Sequence, residues 1–208
     1  MAYPTVSAPY GLDPVNRVDF MPYAGATRLL PIASTYNTAI YNGDIVMLKG
    51  GNVIKSTVTV DSTTDNTANL TYGVFMGVQY VNTQSQLVQS QYYPGNAAAT
   101  SAVAYVVDDP MAAFKVAITY SGNATVTTAN ASVIGTNLSI RQGTGSSSTG
   151  DSAVSVIAPV VGTGNAAAWP VHCIGVVPET AASAGAYTEV IVKFTNPQIL
   201  LAASQNYV

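Results

Sequence analysis

The sequence predicts an all-β protein, a small β-barrel or sandwich of short antiparallel strands with little helix. Val, Thr and Tyr are abundant among its 208 residues, whereas Glu occurs twice and Lys four times, a composition that favours strands over helices. Short apolar runs also alternate with polar turns along the chain, which favours a barrel or sandwich over βαβ units. The length suits one β-rich domain or two small ones.

Residues 1–26 are predicted to form an extended arm. Prolines recur too often in this segment for a helix, and each proline biases the preceding residue towards extended geometry. Aromatic and basic side chains lie between the prolines, and we predict that they contact a capsid or a sister subunit: Tyr3, Tyr10, Arg17, Phe20 and Tyr23. The arm has too little apolar mass to fold alone, so it must lie on its own domain or on a neighbour.

Residues 27–196 are predicted to form the barrel-like body, and residues 197–208 a C-terminal tail. The predicted strands cover residues 29–33, 44–49, 52–60, 72–81, 102–107, 113–120, 138–141, 153–160, 171–177 and 187–195. Gly50-Gly51 is a strong signal for a two-residue hairpin. Gly73 and Gly77 lie inside a strand pattern, where glycine marks a bulge or a close backbone approach.

Two predicted strands alternate cleanly between apolar and other residues. One face is predicted to hold Phe114, Val116, Ile118 and Tyr120, and another Val190, Val192 and Phe194. The remaining segments are predicted to be a single helical turn at 128–133 and long loops at 61–69, 83–100 and 142–152. The last loop is rich in Gly and Ser, which predicts flexibility.

Charge and cysteine content exclude several classes of protein. Charged residues make up 8% of the chain and the formal net charge is −3, against about 25% charged residues in ordinary domains. The few bases are scattered, so we expect no nucleic-acid partner. One Cys and one His exclude an intramolecular disulfide and a zinc finger. No apolar run approaches the ~18 residues of a membrane span, and we expect no membrane partner.

The candidate chemical sites each have a simpler structural interpretation. His172 and Cys173 are neighbours in a strand and point to opposite faces, so they are not expected to form a catalytic pair. Asp108-Asp109 precedes Pro110, which indicates a turn; cation binding and acid/base catalysis are the alternatives. Calcium binding at Asp61, Asp65 and Asn66 lacks EF-hand spacing, and a phosphate loop at Gly143 and Gly145 lacks a following helix and Lys.

The chain therefore offers no nucleophile with a base, no metal cluster and no cofactor cradle. We expect no enzymatic activity, no cofactor and no metal. Tyr and Arg are favoured anchors at protein interfaces, and their presence in the arm indicates a protein that assembles with other chains.

Five short motifs resemble those of head decoration (cement) proteins of tailed bacteriophages. The most specific are the Gly-Asp hairpin entry and the Tyr-x-x-Asp-Asp-Pro turn. The motifs are residues 40–44 (IYNGD), 73–78 (GVFMGV), 104–110 (AYVVDDP), 173–177 (CIGVV) and 189–193 (EVIVK). The resemblance covers roughly residues 25–197 as a succession of such short motifs.

The resemblance implies a non-enzymatic virion protein, made in the host cytoplasm, that binds the outside of an icosahedral shell and clamps major capsid protein subunits together. It also implies a small β-barrel body with an extended arm and assembly as dimers or trimers. Two alternatives remain open: a receptor- or carbohydrate-binding module of a fibre or spike, with Tyr92-Tyr93 as the aromatic pair, and a tail-tube structural protein.

Overall fold

The computed structural model describes residues 6–19, 21–56, 71–96, 99–119, 133–157, 169–180 and 187–195. The prediction of an all-β fold is confirmed. The strands are β1 (Asp13–Arg17), β2 (Arg28–Pro31), β3 (Ile45–Lys49), β4 (Asn52–Lys55), β5 (Gly73–Val81), β6 (Leu87–Ser90), β7 (Thr100–Val107), β8 (Ala112–Thr119), β9 (Asn137–Arg141), β10 (Ser155–Ile157), β11 (Val171–Val176) and β12 (Glu189–Phe194). One turn of 3-10 helix, Pro178–Thr180, precedes β12. These ranges contain no helix that is long and apolar enough to cross a membrane.

Five strands close into a barrel in the order β8-β10-β9-β11-β12, with β12 pairing back onto β8. β1 extends this sheet by pairing with the first half of β8, from Asp13 opposite Lys115 to Arg17 opposite Ala112. The β8–β10 pair is parallel, whereas the sequence predicted antiparallel strands. The predicted alternation is confirmed, because the residues 114, 116, 118, 190, 192 and 194 all lie in the barrel core.

The second sheet has the order β2-β7-β5-β3-β4, and β6 pairs with the end of β5. β5 contributes to two apolar cores. Phe75 and Val78 point into the core beneath the second sheet, whereas Val74 points into the barrel core. The barrel therefore covers one end of this sheet's opposite face.

The predicted glycine positions are confirmed. Gly50 and Gly51 connect β3 to β4 with positive φ values of 55° and 78°, as a two-residue hairpin requires. The β5–β7 register shifts between Phe75 and Gly77, which is the predicted bulge. A Cβ on Gly73 would lie 2.3 Å from the carbonyl oxygen of Val107, so that glycine permits a close backbone approach.

Two predicted loops differ from the structure, and several other predicted segments fall outside the described residues. The predicted loop 83–100 contains β6, whose mixed polar and apolar residues give no clear strand signal. The loop 142–152 is anchored by backbone hydrogen bonds, from Ser146 to Asp151 and from Asn42 to Gly150. The strand ends 57–60, 120 and 158–160, the loop 61–69, most of the helical turn 128–133 and the tail 197–208 lie outside the described residues.

Candidate interaction surface

The side chain of Tyr10 connects the arm to its own body by a hydrogen bond. Its hydroxyl donates a hydrogen bond to Glu189 Oε1 at 2.5 Å, and Lys115 Nζ lies 3.5 Å from the same oxygen. Burial, followed by the hydrogen bond and the charge of Glu189, raises the pKa of Tyr10 above its ordinary value. Tyr10 therefore contacts its own body, and its predicted contact with a capsid or a sister subunit stays a prediction.

The backbone next to Tyr10 is inserted between the two sheets. Gly11 N donates to Val154 O at 3.2 Å, and Leu12 N donates to Gly43 O at 3.0 Å. Leu12 is 1% exposed and belongs to the barrel core. The sequence left open whether the arm lies on its own domain or on a neighbour; the described residues of the arm lie on their own domain.

Arg17 and the predicted Asp-Asp-Pro turn contribute to two neighbouring groups of ion pairs, which together we call the ion network. Arg17 contacts Asp19 at 3.1 Å and Asp109 at 3.3 Å. Asp108 pairs with Arg28 at 2.5 Å and accepts a hydrogen bond from the Tyr72 hydroxyl at 2.9 Å. These partners occupy both aspartates.

Asp109 also stabilises the turn itself. Its Oδ1 accepts from Met111 N at 2.8 Å, and its carbonyl accepts from Ala112 N at 3.0 Å. These contacts confirm the interpretation of Asp108-Asp109 as turn residues.

Two exposed methionines lie beside this network. Met21 is 59% exposed and Met111 39% exposed. Backbone hydrogen bonds from Arg17 N to Met21 O, 3.1 Å, and from Val18 N to Met111 O, 2.8 Å, bring their two loops together. We call this region, residues 17–19, 21–23 and 108–111, the arm–turn surface.

Tyr23 lies at the margin of the arm–turn surface. Its hydroxyl donates to Ala26 O at 3.0 Å, and its ring packs partly against the barrel core. Burial and then the charge of Asp109 raise the pKa of Tyr23. Of the five predicted contact residues, the structure brings Arg17 and Tyr23 together and turns Tyr10 away, while Tyr3 and Phe20 lie outside the described residues.

The chemistry of the arm–turn surface suits protein recognition. Met and Arg are enriched in protein interfaces, and the flexible thioether of Met adapts to irregular apolar surfaces. Sequence reasoning missed Met21 and Met111, because nothing in the sequence indicates that two loops some 90 residues apart lie side by side. Methionines flanked by proline at 21–22 and 110–111 are the available signal.

His172 and Cys173 lie on opposite faces of β11, as predicted. Cys173 is fully buried in the barrel core, and burial raises the pKa of its thiol. His172 Nδ1 lies 2.8 Å from Asn137 Oδ1 outside the core. The two side chains therefore do not form a nucleophile and base.

Tyr92 and Tyr93 do not form a joint aromatic platform. Tyr92 stacks on Tyr41, with ring centroids 5.6 Å apart, whereas Tyr93 is 1% exposed and stacks on Tyr36 at 6.3 Å. A sugar-binding site needs accessible aromatic faces, and this pair offers at most one.

A cleft of about 230 Å³ lies where the arm meets the body. Tyr10, Gly43 and Met76 line it, with Asp13 and Asp151 also in its wall. Across the described ranges, no three His, Cys, Asp or Glu side chains group as metal ligands.

Models of known protein families, curated proteins and solved structures give no match to this chain.

Proposed function

We propose that this chain is a virion structural protein, a capsid decoration (cement) protein that binds the outside of the major capsid protein shell and stabilises it. The observation that carries the proposal is the arm–turn surface. It presents two exposed methionines beside Arg17 on a body with which residues 13–17 of the arm are already paired, and it includes the Asp-Asp-Pro motif of the family resemblance.

The pairing of arm residues 13–17 with the body supports this role on energetic grounds. Association loses conformational entropy when loops become ordered at an interface. Residues 13–17 are already paired with β8, and Tyr10 is hydrogen-bonded to Glu189. The arm–turn surface therefore contacts a partner with little further ordering.

Binding to an assembled lattice stabilises that lattice by mass action. A ligand that binds only the assembled state contributes about 2.7 kcal/mol per site at a free concentration of about 100 Kd. A shell presents many equivalent sites, so a modest free energy of binding at each site adds up to a large stabilisation of the assembled particle. The proposed clamp needs no reacting group.

The test is co-sedimentation of the full chain with shells assembled from the major capsid protein of the same virus. The double variant Met21→Glu/Met111→Glu places two charges on the apolar part of the arm–turn surface. We expect its affinity to fall by about 10- to 100-fold, because a charge buried without a partner costs a few kcal/mol. Thermal unfolding is expected to stay unchanged, because both side chains are exposed.

The matched control is Ile134→Glu, a charge on an aliphatic side chain that is 46% exposed outside the arm–turn surface. This variant should bind like the wild type. Absence of wild-type binding to shells overturns the proposed function, as does binding to glycans without affinity for shells. If the double variant and the control bind shells equally well, the arm–turn surface is not the part of the protein that contacts the shell.

The test uses substitutions because deleting the arm would confound it. Removing residues 1–26 also removes β1 and the core residue Leu12. Loss of shell binding by such a deletion would report unfolding as readily as loss of contact.

A further inference from the structure

We propose that Arg141, at the end of β9, binds a small inorganic oxyanion of the phosphate type. This inference is independent of the proposed function, because Arg141 lies outside the arm–turn surface and its ligand is not a shell. Arg141 Nη1 is buried, and no acceptor in the described part of the chain forms a hydrogen bond with it. A buried donor without a partner costs free energy, and more so when it carries a charge.

Arg141 also has no counter-charge within the described residues. The ion pairs of those residues involve the bases Arg17, Arg28, Lys55 and Lys115 and never Arg141. An exposed lysine such as Lys49 needs no partner, because water solvates its charge. A buried guanidinium nitrogen does need one, because the protein interior solvates a charge poorly.

The strands around Arg141 carry no acid that neutralises its charge. β9 pairs with β10 and β11, and these three strands contain no Asp or Glu. Ser155 lies directly opposite Arg141, but a hydroxyl supplies no counter-charge, and its oxygen is 3.2 Å from Thr119 Oγ1. Asp151 is the acid closest to Arg141 along the chain, and no ion pair joins the two in the described ranges.

Gln142, the next residue, also has unsatisfied polar atoms. Its amide oxygen and its amide nitrogen are both buried without a hydrogen-bond partner. Of the five such side-chain atoms among the described residues, three belong to Arg141 and Gln142. Buried polar groups in folded proteins are nearly always satisfied, so this concentration at the end of β9 indicates a bound ion.

Phosphate suits the chemistry of these two side chains. The guanidinium presents a planar fork of N–H donors that matches the oxygens of an oxyanion. The amide of Gln142 needs both an acceptor and a donor, and phosphate supplies both, because at neutral pH it still carries an O–H. An ion that accepts only would leave the amide oxygen unsatisfied.

The side chain of Arg141 is accessible to an ion from solvent. Leu138 and Ile140 belong to the barrel core, so Arg141 points away from that core. The residue as a whole is partly exposed, although its Nη1 is buried. The chain itself already covers part of the guanidinium, which favours a small ion over a bulky ligand.

This site differs from the phosphate loop considered for Gly143 and Gly145. Both glycines have a packing reason, since a Cβ on Gly143 would lie 2.3 Å from Ala153 O and one on Gly145 would lie 2.4 Å from the ring of Tyr41. A phosphate loop binds its ligand through backbone amides and a Lys. Here the charge comes from a strand side chain that precedes the loop.

The experiment is an NMR titration of the full chain with potassium phosphate at neutral pH, with ionic strength held constant by potassium chloride. We expect saturable amide shifts at the end of β9 and at Ser155, with a Kd of about 1 mM. Arg141→Met should weaken binding at least about tenfold. Lys49→Met, which removes one positive charge from an exposed position of β3, should bind phosphate like the wild type.

Thermal unfolding distinguishes a ligand site from a structural role. Arg141→Met removes a buried charge that has no partner, so in chloride its melting temperature should equal or exceed that of the wild type. Phosphate at about ten times its Kd should raise the melting temperature of the wild type by about 3–6 °C and leave that of Arg141→Met unchanged. A marked fall in the melting temperature of Arg141→Met in chloride shows a structural role and overturns the inference.

The identity of the ion is tested with sulfate, which is tetrahedral but has no proton to donate at neutral pH. Sulfate should therefore bind less tightly than phosphate, and tighter binding of sulfate overturns the assignment. Phosphate titration of the wild type depends on no variant, and the absence of saturable shifts near β9 also overturns it. Loss of shell binding by Arg141→Met, with no binding of phosphate to the wild type, overturns it as well, because the acceptor then belongs to the shell.

Discussion

At the residue scale, the carboxylate of Asp44 is a buried charge that depends on an ion pair and several hydrogen bonds. It is fully buried and is held by Lys55 Nζ at 2.8 Å, by the Ser152 hydroxyl at 2.6 Å and by the Tyr41 amide at 2.9 Å. Each of these donors comes from a different segment, so one carboxylate ties together β4, the entry to β3 and the approach to β10. A buried charge is tolerated only with such a complete set of partners.

Lys55→Met is expected to lower the free energy of unfolding by about 3 kcal/mol, because it leaves the Asp44 charge buried without its counter-charge. Adding Asp44→Asn should recover part of this loss, since the double variant buries no uncompensated charge. Urea unfolding at neutral pH measures both. A double variant less stable than Lys55→Met contradicts this account.

The matched control is an exposed ion pair. Asp19 pairs with Arg17 where the two side chains are 38% and 35% exposed, so Asp19→Asn should change the free energy of unfolding by less than about 1 kcal/mol.

At the scale of elements, the decisive contact is the one between the arm and the entry to β3. Gly11 and Gly43 both have positive φ, 94° and 87°, and their backbones touch. A Cβ on Gly11 would lie 2.7 Å from Gly43 O and 2.8 Å from Ser152 Cβ. The two glycines therefore let the chain before β1 pass between the barrel and the second sheet.

Gly11→Ala is expected to destabilise the protein by more than Gly25→Ala. Gly25 also has a positive φ, 75°, but a Cβ there meets nothing within 4 Å. Gly25→Ala thus measures the backbone term alone, about 1–2 kcal/mol. Gly11→Ala adds a clash with backbone, and urea unfolding of both variants compares the two. Equal losses show that the close approach at Gly11 carries no energetic weight.

At the scale of the whole molecule, a body with few charges keeps several tyrosine side chains wholly or partly buried. Burial raises the pKa of Tyr36, Tyr72 and Tyr93, as it does that of Tyr10. In the unfolded chain these phenols titrate near their ordinary value of 10.0. Above that pH the unfolded state loses protons that the folded state keeps, so the free energy of unfolding falls as pH rises.

We expect these tyrosines to contribute their full stabilisation below about pH 9. Above about pH 10 the free energy of unfolding should fall steeply as pH rises. Tyr10→Phe should start from a lower stability at neutral pH, because Glu189 loses a hydrogen-bond donor. It should also lose less stability between about pH 9 and about pH 11, because one titrating phenol is gone. Urea unfolding across that range measures the slopes. An identical slope in wild type and variant contradicts a role for Tyr10.

Much of the local structure was predictable because its causes lie within a few residues. Hairpin glycines at 50–51, a bulge at Gly77 and alternation along β8 and β12 follow from backbone sterics and the two-residue period of a strand. β6 was missed because Leu-Val-Gln-Ser has no distinctive pattern; its place is set by pairing with β5. Arg17 and Tyr23 were predicted to contact a partner. The exposed Met21 and Met111, which belong to the same arm–turn surface, were not predicted to do so.

Short strands, turns at Gly and Asp-Pro, and a low content of charged residues follow from the amino-acid sequence. The position of the described arm residues on their own body, the parallel pair of β8 and β10 in the ring, and the contact of Ser152 with Asp44 across 108 positions depend on the folded structure. The two kinds of feature differ in how far apart along the chain the interacting residues are. Propensity and sterics act between neighbours along the chain, whereas strand pairing and burial join residues that the sequence keeps far apart.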